Sequence, residues 1–283
     1  MSQSASASDR PHLYGGDSTR RVTVHDLAAA KQRHERWPML TAYDAMTAKI
    51  FDEAGVPVLL VGDSAANVVY GYDTTIPITM DELVPLVAAV SRATKRALVV
   101  ADMPFGSYQS GPEQALGQAA RFLKEGGAHA IKLEGGQRVL PQVEALVGAG
   151  IPVMGHLGLT PQSVNALGGY RVQGRGGAGE QLIRDAKALE AAGAFAVVLE
   201  VVPADLARRV TDTLSIPTIG IGAGSACDAQ VNVWQDLVGL SSGPRPRFVR
   251  PYADVRTVVT DAVRAWSEDV VNGAYPSEEN SYE

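Results

Sequence analysis

A chain of 283 residues, 46% of them hydrophobic, can bury a large core, either as one α/β domain or as two smaller ones. Its 25 Lys and Arg against 31 Asp and Glu give a formal charge of -6 with no basic block to track a phosphate backbone, which argues against nucleic acid as a partner. A lone Cys227 forms no internal disulfide, no Cys or His cluster has zinc-ligand spacing, and no signal peptide or membrane span is read, so the expected compartment is the reducing cytoplasm.

Residues 1–21, rich in Ser, Ala and Asp, read as a disordered leader. Thr23 to Trp37 follows as a polar helix with Val24, Leu27 and Ala28 on one side, placed to cap one end of the fold. From Met39 onward the same punctuation returns: a helical stretch, a Gly near its end, a short apolar run, then polar or glycine residues. That alternation predicts parallel βα units. The runs are Met39–Ala42, Val58–Val61, Leu98–Ala101, Ala130–Leu133, Val153–Gly155, Ala196–Leu199 and Thr218–Ile221, with a weaker eighth at Asp236–Gly239. Thr79-Met80-Asp81-Glu82 has capping-box spacing ahead of a helix that Pro85 should kink, and Gly111-Pro112 starts another. Asp254 to Asn272 aligns Val255, Val258, Val259, Ala262 and Trp266 before stopping at Gly273. Eight such units predict a (β/α)8 TIM barrel with an extra N-terminal helix, in a domain spanning 22–276 with a tail at 277–283. A doubly wound open sheet is the alternative, because sequence alone does not close a sheet. Two connections, Leu157–Gly179 and Ser241–Tyr252, exceed the usual βα loop, and the first is a candidate lid.

In Ile131-Lys132-Leu133-Glu134-Gly135-Gly136, a strand's period of two sends Lys132 and Glu134 to one face and Leu133 to the other. A cation and a carboxylate aimed the same way make either a buried ion pair or a site. The other strand ends add Asp44, Asp63, Ser64, Asp102, His156 and Glu200. Any one of these also reads as a helix cap, since Asp and Ser are common after a strand. Several carboxylates at one barrel mouth repel unless a cation sits among them, and oxygen donors with no Cys and at most one His favour Mg2+. The run Ile219 to Gly224 lacks the intact G-x-G-x-x-G spacing and suits either phosphate or close backbone approach. His12, His25, His34 and His129 lie off the strand ends and read as surface residues, and Cys227 reads as an inert small residue.

Several motifs together are specific: Thr41-Ala42-Tyr43-Asp44, Val61-Gly62-Asp63-Ser64, Ala101-Asp102-Met103-Pro104 and Lys132-Leu133-Glu134-Gly135-Gly136. They continue with Gly155-His156-Leu157-Gly158-Leu159-Thr160-Pro161-Gln162, Gly169-Tyr170-Arg171-Val172-Gln173-Gly174-Arg175 and Ile219 to Gly224. In this order, over residues 22–276, the sequence resembles the ketopantoate hydroxymethyltransferase family. The resemblance implies a TIM-barrel enzyme that uses Mg2+ and 5,10-methylenetetrahydrofolate to hydroxymethylate 3-methyl-2-oxobutanoate, forming 2-dehydropantoate in pantothenate biosynthesis. It also implies a homo-oligomer, a decamer of two rings. Residue by residue, Asp63, Asp102 and Glu134 match the family's metal carboxylates and Glu200 its proton acceptor. Ser64 and Lys132 match its oxo-acid contacts, which also draw on Asp63 and Asp102 through the metal. His156 is expected to hydrogen-bond the product hydroxyl or the folate and is the second choice of base. Tyr72, Gly177 and Ala229 depart from the pattern, none at a metal or base position. The rival readings are a phosphoenolpyruvate-type lyase or mutase, whose catalytic loop often bears a Cys, and a non-catalytic metabolite-binding barrel, which needs neither Lys132 nor Glu200.

Overall fold

The computed structural model describes residues 12–14, 20–243 and 245–282, and the chain divides into two compact units, one up to Val233 and one from Trp234. The span 22–276 therefore includes residues of both. Most of the stretch expected to be a disordered leader lies outside the described residues. Of the part that is described, Leu13 is buried and its carbonyl accepts from the Arg96 guanidinium, while Arg21 donates to the carbonyls of Thr94 and Ala97.

In the first unit eight parallel strands close into a barrel in chain order. They are β1 (Trp37–Thr41), β2 (Val58–Val61), β3 (Leu98–Asp102), β4 (Ala130–Glu134), β5 (Val153–Gly158), β6 (Ala196–Glu200), β7 (Thr218–Ile221) and β8 (Ala229–Asn232). The sheet closes where Trp37 of β1 stands opposite Ala229 of β8, so the fold is the TIM barrel expected and not an open sheet. Among the described residues of this unit nine α-helices accompany the strands: α1 (Val24–Gln32), α2 (Ala45–Glu53), α3 (Ala65–Val68), α4 (Met80–Ala93), α5 (Pro112–Lys124), α6 (Leu140–Gly148), α7 (Val164–Leu167), α8 (Ala178–Ala191) and α9 (Ala204–Thr213). Strands covered by helices outside and side chains inside read as unbroken apolar runs, and all four residues of β2 are buried.

Inward positions stack in layers. The lower layers are apolar: Val58, Leu98, Ala130, Met154, Ala196 and Ile219 belong to one core cluster that also takes in Leu27 and Ala30 of α1. Helix α1 thus closes the N-terminal end of the barrel. Its own start is fixed by Asp26, whose carboxylate accepts from the Thr23 amide at 2.9 Å and hydroxyl at 2.8 Å. Further along the strands the inward positions become partly polar: two residues on at Lys132 and His156, and four on at Asp102, Glu134 and Glu200, while Leu60, Val198 and Ile221 stay apolar.

Three sequence expectations change in detail. The eighth strand is Ala229–Asn232, and Trp234–Leu237, where it was expected to begin, forms the single-turn helix α10. Ala229 and Val231 are buried on the inner face, but the interleaved Gln230 and Asn232 hide the apolar run that marks the other strands. Strand β5 runs on to Gly158 because its ladder with β6 continues to Glu200. Helix α4 has the capping box at Thr79 and Glu82 and continues through Pro85 to Ala93.

The second unit holds α10 and the longer α11 (Val255–Val271), whose first turn is capped by Asp254 accepting from the Thr257 amide at 3.2 Å. No residue of α11 is buried, and Val259, Val263, Trp266 and Val270 form an exposed apolar stripe. Among the described residues no helix is long and apolar enough to cross a membrane.

Candidate active site

The polar layer sits at the C-terminal ends of β2 to β6 and lines a cavity of about 140 Å³, whose walls include Ser64, Asp63, Asp102, Lys132, Glu134, His156 and Glu200. Every residue singled out at a strand end except Asp44 is there. Asp44 caps α2 instead, accepting from the Thr47 amide at 2.9 Å. The period of two explains the grouping: Lys132 and Glu134 face the cavity while Leu133 is buried on the other side, under the helices. Leu60, Val198, Ile221 and Val231 supply the apolar part of the wall, and Tyr170, from the long loop after β5, reaches its rim.

Lys132 Nζ donates to Asp102 Oδ1 at 2.7 Å, so the ion pair runs across neighbouring strands and not along β4 to Glu134. The other oxygen of Asp102 accepts from the Asp63 amide at 3.0 Å. His156 Nδ1 stands 3.3 Å from both Lys132 Nζ and Glu134 Oε1, and its Nε2 stands 3.2 Å from Glu200 Oε2. The contacts to the two glutamates are not aligned as hydrogen bonds: Glu134 Oε1 and His156 Nε2 are buried without a hydrogen-bond partner. Ser64 Oγ is 2.8 Å from the hydroxyl of the buried Tyr43.

Burial raises the pKa of Asp63, and the Glu134 charge adds to the rise. Asp102 is pushed up to about 6, by burial first, against the opposing charge of Lys132. Burial presses the Lys132 ammonium down, but Asp102, Glu134 and Asp63 outweigh it and the net direction is up. Burial and the Lys132 charge likewise press His156 down, yet Glu134 and Glu200 carry it to about 9, so at neutral pH it holds a proton on each nitrogen. Four carboxylates then face one ammonium and one imidazolium. Acidic side chains thus outnumber basic ones around the cavity, a surplus that suits a cation.

The donor set fits such a cation. Carboxylate oxygens dominate it, and a buried carboxylate oxygen without a partner, Glu134 Oε1, is open to an ion or a bound water. Among the described residues no three His, Cys, Asp or Glu side chains converge closely enough to hold an ion unaided. Mg2+ is commonly held by one or two carboxylates, with waters and substrate oxygens completing its octahedron.

Two further features were not singled out from sequence. Gln162 and Tyr108, both buried, bond to the site's carboxylates or to their backbone. Val201, next to Glu200, has φ 47°, a rare conformation for a β-branched residue. It is held by its amide donating to the Ile221 carbonyl at 2.8 Å and its carbonyl accepting from the Gln173 amide at 3.0 Å. Gly158 (φ 94°) allows β5 to pass β6, since a Cβ there would lie 2.2 Å from the Glu200 carbonyl oxygen. In the run Ile219 to Gly224 the need for glycine is also internal, because a Cβ on Gly224 would lie 2.6 Å from Ala204. His129 is not a surface residue: it is half-buried and its Nδ1 accepts from the Val99 amide at 3.1 Å.

The family model of ketopantoate hydroxymethyltransferase matches residues 21–278. A 3-methyl-2-oxobutanoate hydroxymethyltransferase of Frankia casuarinae is 71% identical over 262 residues, covering 93% of this chain and 88% of the relative. One of Thermobifida fusca is 68% identical over 274 residues, covering 96% and 97%. Among solved structures, phosphonopyruvate hydrolase in complex with oxalate and Mg++ aligns at TM-score 0.59 and 14% identity, over 91% of this chain and 92% of that one. A 2,3-dimethylmalate lyase of the PEP mutase/isocitrate lyase superfamily aligns at TM-score 0.55 and 17% identity, over 92% and 91%. At those identities the likeness to the solved structures is one of fold.

Proposed function

The chain belongs to the ketopantoate hydroxymethyltransferase family, and from that premise we propose that it transfers a hydroxymethyl group from 5,10-methylenetetrahydrofolate to 3-methyl-2-oxobutanoate, with Mg2+ as cofactor, yielding 2-dehydropantoate. As a member of that family it is a hydroxymethyltransferase of pantothenate biosynthesis. The observation that carries the finer reading is the layout around the cavity. Buried Asp63, Asp102 and Glu134 with Lys132 lie on one side, and Glu200, the carboxylate left half-open, lies across His156 from Glu134.

The C3 hydrogen of a 2-oxo acid is too weakly acidic for a carboxylate to remove unless the developing enolate charge is stabilised. Lys132, fixed by Asp102, places an ammonium beside the oxo acid's oxygens. Asp63 and Asp102, with Glu134 direct or through water, would hold Mg2+, which would supply Lewis-acid polarisation of the keto oxygen. Ser64, oriented by the Tyr43 hydroxyl, hydrogen-bonds the substrate carboxylate. Glu200 accepts the C3 proton, and C3 bonds to the one-carbon unit as that carbon loses its two bonds to the folate nitrogens; water supplies the hydroxyl oxygen, and tetrahydrofolate leaves with its nitrogens protonated by the C3 proton and one from water. His156, whose Nε2 lies 3.2 Å from Glu200 and has no hydrogen-bond partner of its own, hydrogen-bonds the new hydroxyl. Leu60, Val198 and Ile221 receive the branched alkyl group.

Exchange of the C3 hydrogen with deuterated water, followed without folate, isolates the first step. Glu200→Gln should slow it by about 10²–10⁴-fold while oxo-acid binding persists, and His156→Gln should retain it. Wild-type exchange in the Glu200 variant rejects that residue as the base. The protein is further proposed to act in the cytoplasm as a homo-decamer, a reading supported by the family resemblance and by the exposed stripe on α11.

A further inference from the structure

Gln162 carries no charge and has no role in the chemistry above, yet it is buried in the short turn Pro161–Ser163 just after β5 and hydrogen-bonds two of the site's carboxylates. Its backbone amide donates to Glu134 Oε2 at 3.0 Å. Its Nε2 donates to Asp63 Oδ2 at 3.0 Å and to the Met103 carbonyl at 2.9 Å. Its Oε1 accepts from the Tyr108 hydroxyl at 2.7 Å and, more distantly, from Gln109 Nε2 at 3.4 Å.

An amide offers two donors on nitrogen and an acceptor on oxygen, so a half-turn about its last bond would aim oxygen at Asp63 and at a carbonyl. The Asp63 carboxylate and the Met103 carbonyl, which only accept, forbid that turn. The Tyr108 hydroxyl braces the same orientation by donating to Oε1 at 2.7 Å, with the Glu134 carbonyl at 3.2 Å as its other acceptor, and its oxygen accepts from the Glu134 amide at 3.1 Å. A closed circuit results: Asp63, the Gln162 side chain, Tyr108, Glu134 and back to the Gln162 backbone. It engages one oxygen of each carboxylate, Oδ2 of Asp63 and Oε2 of Glu134. The oxygens it leaves are Asp63 Oδ1 and Glu134 Oε1, the second of which is buried without a hydrogen-bond partner, with His156 Nδ1 3.3 Å away.

We propose that Gln162, held in one orientation by the Met103 carbonyl and braced by Tyr108, is a positioning residue that turns one oxygen each of Asp63 and Glu134 toward a divalent cation. The inference rests on the Mg2+ reading of the site and assigns its second layer. Hydrogen-bonded partners of ligand carboxylates commonly carry about 10- to 100-fold of metal affinity.

The test is Mn2+ binding to the full-length enzyme without substrate, read by electron paramagnetic resonance of the free ion, together with thermal unfolding. Gln162→Met keeps the buried volume and removes both polar ends. It should weaken Mn2+ binding by about 10- to 100-fold, with Tyr108→Phe following at the lower end of that range. A plug in the core would act otherwise: its loss lowers the melting temperature and leaves Mn2+ affinity alone, and that result in Gln162→Met overturns the proposal. Should Gln162→Met not fold, Tyr108→Phe, which removes one hydroxyl, decides by the same criterion. Wild-type enzyme that binds no Mn2+ overturns the cofactor reading and this inference with it, a result distinct from a wild type that binds and variants that bind equally well.

Discussion

Replacing Lys132 by Met keeps the side chain's length and removes the ammonium that Asp102 meets at 2.7 Å, where the two side chains are only 5% and 2% exposed. Breaking a buried pair from one side destabilises by roughly 3–5 kcal/mol, because the remaining charge is left desolvated and alone. Asp102 has an alternative, which is to take up a proton. Burial already raises it to about 6 with Lys132 opposing, so in the variant the rise is larger. A carboxyl whose folded pKa is raised binds more protons folded than unfolded, so stability falls as pH climbs from the unfolded value, near 4, through the folded one. Holding Asp102 protonated costs about 1.4 kcal/mol per pH unit above the unfolded value, or roughly 2 kcal/mol at about pH 5.5 and roughly 6 at about pH 8. The variant therefore folds with neutral Asp102 in mild acid and bears the whole loss in mild base. Wild type, with Asp102 near 6, already bears almost the same cost at about pH 5.5 and roughly 3 kcal/mol at about pH 8, so at about 2–4 °C per kcal/mol for a chain of this size the melting temperature should fall by roughly 6–20 °C at about pH 8 and hardly at all at about pH 5.5. Thermal unfolding of wild type and Lys132→Met by circular dichroism at both values decides it. An unchanged melting temperature at the higher pH, or equal losses at the two, refutes the reasoning.

Two other predictions lie outside the cavity. His129 is held down to about 4, by burial first and then by the Arg21 charge. The unfolded chain therefore takes the proton first, and stability present above about pH 6.5 is lost on descent toward pH 4, by on the order of 3 kcal/mol. Urea unfolding between these limits should show that loss, and His129→Asn, which keeps an acceptor for the Val99 amide and cannot titrate, should reduce it. Light scattering at micromolar concentration should return a mass near ten times the 29.8 kDa chain, and a monomeric mass rejects the assembly.

What could be read from the sequence was whatever repeats with a period. Lys132 and Glu134 two apart, and single charged residues ending apolar runs, identified Asp63, Asp102, His156 and Glu200, because a barrel sends alternate residues to the same interior. The sequence left open whether Lys132 belonged to an ion pair or a site. It belongs to both, and its partner Asp102, one strand over, is a neighbour only in the closed sheet. Gln162 and Tyr108 were hidden because uncharged polar residues in irregular segments carry no period, and their meeting depends on loops from β3 and β5. Val201 gave no signal either, since a left-handed valine is imposed by its tertiary hydrogen bonds against its local preference. The eighth strand was missed because polar residues alternate along it.

The plug formed by Leu27 and Ala30 beneath the barrel has a bearing on traffic. A tube shut at its base is a cul-de-sac with one doorway, and the proposed reaction asks two molecules of unequal size to use it. The oxo acid is the smaller and belongs at the back, in about 140 Å³ among the charged side chains. In the proposed reaction the folate, too large for that recess, would stand in the doorway behind it. Whatever enters last must leave first, so the acid is admitted before its one-carbon donor, and the product waits for the spent folate to depart. A folate mimic lodged in the doorway would then act as a cork, trapping the acid behind it instead of displacing it.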